Sequence, residues 1–215
     1  EYFDACDAGH DKEANRIILN MNHRIGLFFG SFNPVHVGHM IIANHLVNET
    51  DLDQVWMVVS PQNPFKEQKN LASDRFRYHL VYLAIGDNPK IMASDIEFGL
   101  PRPSYTIDTL AYLHEKYPEK EFCLIMGGDN VSTLNKWKNS ELLLERYRIY
   151  VYMRPGYDLG PLGQHANIIP LEAPLLDISA TYIRQLLVSG KSVRYLLPEA
   201  VRMELEKSNP YRDLQ

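Results

Sequence analysis

Residues 24–43 read RIGLFFGSFNPVHVGHMIIA, and their change of character halfway along decides the fold. Ile25 to Phe29 is a short apolar run of the kind that makes a buried parallel strand. It breaks at Gly30-Ser31-Phe32-Asn33-Pro34, where glycine and proline end regular structure. From about Val35 apolar residues recur at helical spacing, at Val37, Met40, Ile41 and Leu46. Pro34 is expected at or just before the first helical turn, where its missing N–H costs nothing. His36 and His39 then fall on one side of that turn, with Gly38 between them placing no side chain in a ligand's way. A helix that starts after a glycine turn at a strand's carboxyl end offers free N–H groups to phosphates. Two histidines three apart also occur as a surface pair or as half a metal site, so the pair alone decides nothing.

The composition narrows the classes. A chain of 215 residues, 45% apolar and 23% charged, has the make-up of one globular domain with a substantial core. Its net charge of −5 argues against a general nucleic-acid binder, which needs broad basic surface, so an anionic substrate requires a local basic pocket. Cys6 and Cys123 are far apart, with no Cys-x-x-Cys and no Cys/His cluster; they offer neither a disulfide framework nor a zinc site and fit a reducing cytoplasm. No apolar run approaches the roughly 20 residues that span a membrane. Residues 1–20 are too polar for a secretory signal and show no periodic pattern, and Met21 stands directly before the first strand. They are expected to form an extension, loosely attached or one peripheral helix, ahead of a domain over 21–215.

Further strands and helices follow in alternation. Val55 to Ser60 is a second buried strand, and strand, helix, strand in so short a span implies a right-handed crossover and a parallel sheet. Pro61 to Lys66 is a proline-stiffened loop whose Lys66 reads either as solvated or as a ligand contact. Leu71 to Gly86 is a helix with Phe76, Leu80 and Leu83 as its apolar stripe, and its Asp74, Arg75 and Arg77 read as surface or structural ion pairs. Ile91 to Ser94 is a third strand. Pro101 and Pro103 stiffen the loop Phe98 to Tyr105, where Arg102 is either a solvated charge or a pocket wall, and a helix capped by Ser104 or Thr106 follows. Phe122 to Met126 runs into Gly127-Gly128-Asp129. The glycines allow close backbone approach, and Asp129 suits either ribose hydroxyls or a helix N-cap. Trp137 reads as core packing or as a stacking surface for a flat base. Strands over Arg148 to Met153 and Asn167 to Pro170 precede a helix capped by Ser179 and ending at Gly190, whose first turn and Arg184 suit a triphosphate. Tyr195 to Lys207 is a last amphipathic helix. The expected fold is α/β, a Rossmann-like doubly wound parallel sheet in a single domain with a small C-terminal helical part. In such a sheet the Gly30 loop, the Gly127 loop and the Ser179 helix start share one edge.

Here two motifs become specific. Gly30-Ser31-Phe32-Asn33-Pro34-Val35-His36-Val37-Gly38-His39 resembles the Gly-x-Phe-x-Pro-x-His-x-Gly-His signature of nucleotidyltransferases, which join a nucleoside monophosphate to a phosphate-bearing acceptor. Every signature position is filled. Ile178-Ser179-Ala180-Thr181-Tyr182-Ile183-Arg184 is similar to their second signature, Ile-Ser-x-Thr-x-Ile-Arg. From Met21 onward the chain most resembles the bacterial nicotinate-nucleotide adenylyltransferases. It departs from them in a shorter Pro61 to Lys66 loop with Phe65 in place of a frequent polar residue, and in Ala180 for the more frequent Ser.

That resemblance implies attack by the phosphate of nicotinate mononucleotide on the α-phosphorus of ATP, with Mg2+ carried on the ATP phosphates and no metal site built by the protein. It implies catalytic roles for His36, His39 and Arg184. ATP would meet Gly30, Ser31, Phe32, His39, Gly127, Asp129, Ile178, Ser179, Thr181 and Arg184. The pyridine nucleotide would meet Lys66, Tyr105, Thr106, Asp129, Trp137 and Lys138. The implied partners are ATP and a pyridine mononucleotide, with no nucleic acid and no membrane, in the cytoplasm; a homo-oligomer is compatible with the sequence. Nicotinamide mononucleotide or another phosphate acceptor is the alternative substrate, and a non-catalytic nucleotide sensor the alternative class.

Overall fold

Along the central strands, side chains alternate between two apolar faces, and that alternation forces helices onto both sides of the sheet. In the computed structural model, which describes residues 23–61, 71–153, 156–174 and 176–212, the strands are β1 (His23–Gly30), β2 (Gln54–Val59), β3 (Ile91–Ser94), β4 (Lys120–Gly127), β5 (Ile149–Tyr152) and β6 (Ile168–Leu171). They form one sheet in the order β3-β2-β1-β4-β5-β6 with every pairing parallel. This is the Rossmann order, and its direction reverses between β1 and β4, where a crevice opens at the carboxyl ends.

One face is covered by α1 (Val37–Glu49), α2 (Asp74–Ile85), α6 (Ala180–Val188) and α7 (Glu199–Lys207), the other by α3 (Thr106–Lys116), α4 (Gly128–Val131) and α5 (Ser140–Arg146). Val55, Met57 and Val59 of β2 and Cys123 and Ile125 of β4 point to the first face. Trp56 and Val58, with Phe122, Leu124 and Met126, point to the second. Each fully buried Leu or Ile in these layers contributes about 1.5–3 kcal/mol of transfer free energy. Burial pushes the Cys123 thiol up to about 12, so it is an inert core residue. At the amino ends of the strands, Arg24 bridges Asp51 and Glu121, Arg148 joins Asp51 at 3.1 Å, and Tyr150 donates to Asp51. That network closes the edge opposite the crevice.

All six expected strands form. Pro34 lies in a buried turn just before α1, the second of the two places expected for it, and His36 takes the N-cap position. Other expectations about helix ends need correction. Neither Ser104 nor Thr106 caps α3: the N-cap residue is Tyr105, which supplies no side-chain bond, and Thr106 is the first helical residue. The last helix begins at Glu199, after Pro198, rather than at Tyr195. Its Val201 and Leu205, with Tyr211 beyond it, belong to the first-face core, as the C-terminal helical part of a single domain should. The expected extension over 1–20 and the loop lysine Lys66 lie outside the described residues.

The largest correction concerns α2. Asp74 does pair with Arg102 at 2.8 Å, but Arg77 is not a surface charge, and among the described residues it forms no ion pair. It is fully buried, and its guanidinium donates to the carbonyls of Ala72 (2.9 Å), Ser31 (2.6 Å), Ser60 (2.9 Å) and Pro61 (3.3 Å). The spacing holds the signal: Arg77 stands three before Leu80 and four before Val81, both buried, and so on the apolar stripe.

Candidate active site

The loop after β1 is shaped by Phe32. Its φ of 44° lies in the left-handed region, which a bulky residue adopts only when its surroundings enforce it. The ring folds back over Gly30, where an added β-carbon would come 2.8 Å from the Phe32 ring. It then meets Phe28 edge-on at 5.7 Å and His39 at 5.0 Å between ring centres. Asn33 is buried, and its Oδ1 accepts from the Ala72 N–H at 3.1 Å, which holds the loop against the residues leading into α2.

His36, only 6% exposed, ends this loop as the N-cap of α1. Its backbone N–H donates to Nδ1 of His39 at 3.2 Å, and the two imidazoles stack with centres 3.7 Å apart. Because Nδ1 of His39 accepts, the neutral ring carries its proton on Nε2, which makes that nitrogen a donor. Gly38 gives the stack room, since an added β-carbon there would come 3.1 Å from Nδ1 of His36, close enough that the ring would have to shift. The first turn is not simply a set of open N–H groups: Val37 donates to the Leu196 carbonyl at 3.1 Å and His39 to the His36 carbonyl at 3.0 Å.

The second signature arrives on α6. Ser179 is its N-cap, with Oγ accepting from the Tyr182 N–H at 3.1 Å as expected. One turn in, Arg184 donates to the Asn33 carbonyl at 2.7 Å and to Thr181 Oγ1 at 3.2 Å. Two motifs 151 positions apart in the chain thus touch. Burial lowers the Arg184 pKa from its ordinary value, yet an arginine stays charged, so the motif meets the loop as a half-buried cation.

β4 lies beside β1 and ends at Gly127, which caps the short α4. Asp129 is therefore not the N-cap; it is the second residue of α4, and its carbonyl accepts from Ser132 Oγ at 2.7 Å. At the start of α3, Lys138 donates to both carboxylate oxygens of Asp108 at 2.7 and 2.9 Å and lies 4.9 Å over the Tyr105 ring. Tyr105 and Trp137 pack against the second-face core, whereas Phe32 and Val35 belong to the first. The structure thus gathers Ser31, Phe32, His36 and His39 with Ser179, Thr181 and Arg184. Tyr105, Thr106, Trp137 and Lys138 stand on the opposite face, with Gly127 at the end of the strand next to β1 and Asp129 in the short helix α4 that follows it.

Sequence reasoning missed Glu97 as well as Arg77. Glu97 is buried in a 3-10 turn over Ile96–Gly99, accepts from Thr109 Oγ1 at 2.8 Å, and has its carboxyl pushed above the ordinary range by burial. A lone acid in a loop carries no signal that would set it apart from a solvated one. Among the described residues no group of three or more His, Cys, Asp or Glu side chains is placed to hold a metal ion, and no helix is long and apolar enough to cross a membrane.

The cytidylyltransferase-like family profile matches residues 27–186. A Cytophaga hutchinsonii protein named "Probable nicotinate-nucleotide adenylyltransferase" is 54% identical over 87% of this chain and 97% of its own length. A Flavobacterium psychrophilum protein of the same name is 49% identical over 88% and 99%. Among solved structures, Plasmodium falciparum nicotinic acid mononucleotide adenylyltransferase complexed with NaAD superposes with a TM-score of 0.76 over 90% of this chain and 99% of that one, at 20% identity, a likeness of fold. The signature loop, the sheet order and these identities lead to one conclusion: the chain belongs to the nicotinate-nucleotide adenylyltransferase family of cytidylyltransferase-like proteins.

Proposed function

We propose that the chain transfers the adenylyl group of ATP to nicotinate mononucleotide, giving nicotinate adenine dinucleotide and pyrophosphate, a step of NAD biosynthesis suited to the cytoplasm. An oxygen of the acceptor phosphate forms a bond to the α-phosphorus of ATP. The bond from that phosphorus to the bridging oxygen breaks, and its electron pair leaves with pyrophosphate. No covalent nucleophile is needed, since such transfers depend on positioning and charge neutralisation. ATP enters with magnesium on its phosphates, and the ion belongs to the substrate.

His36 and His39 serve the reacting phosphates, His36 the more critically, and Arg184 serves the β/γ-phosphates of the leaving group. Ser31, Phe32 and Gly127 meet the adenosine through their backbone, and Ile178, Ser179 and Thr181 border the triphosphate. Asp129 holds a ribose. Tyr105, Thr106 and Trp137 surround the pyridine ring with Lys138 beside them, and Lys66 reaches the acceptor phosphate. The observation that supports this reading most is the 2.7 Å bond from Arg184 to the Asn33 carbonyl, because it joins a guanidinium suited to phosphate to the loop that carries the stacked histidines.

Pyrophosphate release with ATP and magnesium tests it, with nicotinate mononucleotide, nicotinamide mononucleotide and phosphopantetheine as acceptors. A strong preference for the nicotinate nucleotide, abolished in His36→Ala, is expected. Release with phosphopantetheine alone, or no release with any of the three while ATP still binds, would overturn the reading.

A further inference from the structure

We infer that Arg77 is a positioning residue for the transfer step: its buried guanidinium fastens the phosphate-binding loop after β1 to the exit of β2. The inference rests on the adenylyl-transfer reading above. Four main-chain carbonyls on three separate stretches accept from this one side chain: Ser31 in the loop after β1, Ser60 and Pro61 at the end of β2, and Ala72 just before α2. A planar fork of five N–H donors reaches such a set; an ammonium, with three donors on one atom, does not span it.

A buried cation is costly to keep, and this one is held by carbonyl dipoles on residues that bear directly on the site. Ser31 lies one residue from Phe32, whose ring contacts His39, and two from Asn33, whose carbonyl receives Arg184. The same junction has two further ties: the Asn33 Oδ1 bond from Ala72, and the Ser60 N–H bond to the Gly30 carbonyl at 2.9 Å. Arg77 and Arg184 thus hold the loop at neighbouring carbonyls, one from the β2 side and one from α6. Tyr211, fully buried, is close enough to interact electrostatically with both guanidiniums.

Ground-state binding tolerates small shifts of a loop, whereas in-line transfer does not. In Arg77→Met and Arg77→Lys, kcat is expected to fall about 100-fold while the dissociation constant for ATP alone changes by less than about threefold. The measurement uses the full chain at saturating substrates, well below its melting temperature, with rates given per folded molecule from circular dichroism. Amide exchange supplies a readout that needs no acceptor: the Phe32, Asn33 and Ser60 amides should exchange about tenfold faster in Arg77→Lys than in the wild type, with the β4 amides unchanged. If the Arg77 variants do not fold, Asn33→Ala, which removes the Ala72 tie, should show the same split in milder form.

Variants that melt earlier but keep wild-type kcat and wild-type exchange in the loop would overturn the assignment, leaving Arg77 a purely structural residue. Absence of turnover in the wild type would overturn the reading of the reaction instead, and the exchange rates would still decide whether Arg77 fixes the loop.

Discussion

His36 and Glu97 show two ways in which one side chain carries a consequence. His36 is stacked on His39 at the end of a loop held by both arginines, and on the proposed reading its removal deletes a phosphate contact. His36→Ala is expected to lower kcat by the equivalent of about 2–4 kcal/mol, the size of a lost transition-state donor, with folding intact. Glu97 is a matter of stability. Its folded carboxyl titrates above the ordinary value of 4.5 because it is buried, so its contribution is full below that pH and is lost as pH rises through the raised value. Glu97→Gln, which keeps the shape of the neutral acid, should therefore gain in melting temperature relative to the wild type from pH 4.5 upward. A difference independent of pH would show that the carboxyl does not titrate in that range. At this scale the histidines and Arg184 were legible because each sits in a spaced motif. Glu97 was not, because only its burial sets it apart from a solvated acid; for Arg77 the place on the apolar stripe was legible, and the carbonyls of other stretches that receive it were not.

At the scale of the element, β-strands were the easiest to read: short apolar runs that end at glycine or proline mark β1, β2 and β4 most clearly. Helix starts were harder. Ser179 does cap α6, and there the hydroxyl and the first N–H groups coincide as the sequence suggests. At α3 two candidate caps stood within three residues, yet the proline-stiffened loop sets the backbone so that Tyr105 takes the position without any side-chain bond. Ser179→Ala tests the first case. Losing an exposed cap should cost about 1 kcal/mol and lower the melting temperature by about 2–4 °C in a chain of this size. Because α6 carries Arg184 to the Asn33 carbonyl, the Michaelis constant for ATP should rise as well; thermal unfolding and steady-state kinetics on the same sample would show both or refute the link.

For the whole molecule, the parallel order and the crevice between β1 and β4 follow from the alternation of strands with helices, which the sequence states plainly. What it does not state is that the last helix and Tyr211 return to the first-face core beside Arg77 and Arg184, since burial of a residue near the end of a chain leaves no periodic trace. The sheet brings the two motifs to one edge, where, on the proposed reading, ATP is broken between its α-phosphorus and the pyrophosphate. The most direct measurement follows labelled phosphorus from ATP during incubation with nicotinate mononucleotide and magnesium. Label at the α-position should appear in the dinucleotide and label at the γ-position in pyrophosphate. Label from the γ-position on the mononucleotide, or α-label recovered only as free AMP, would contradict the account.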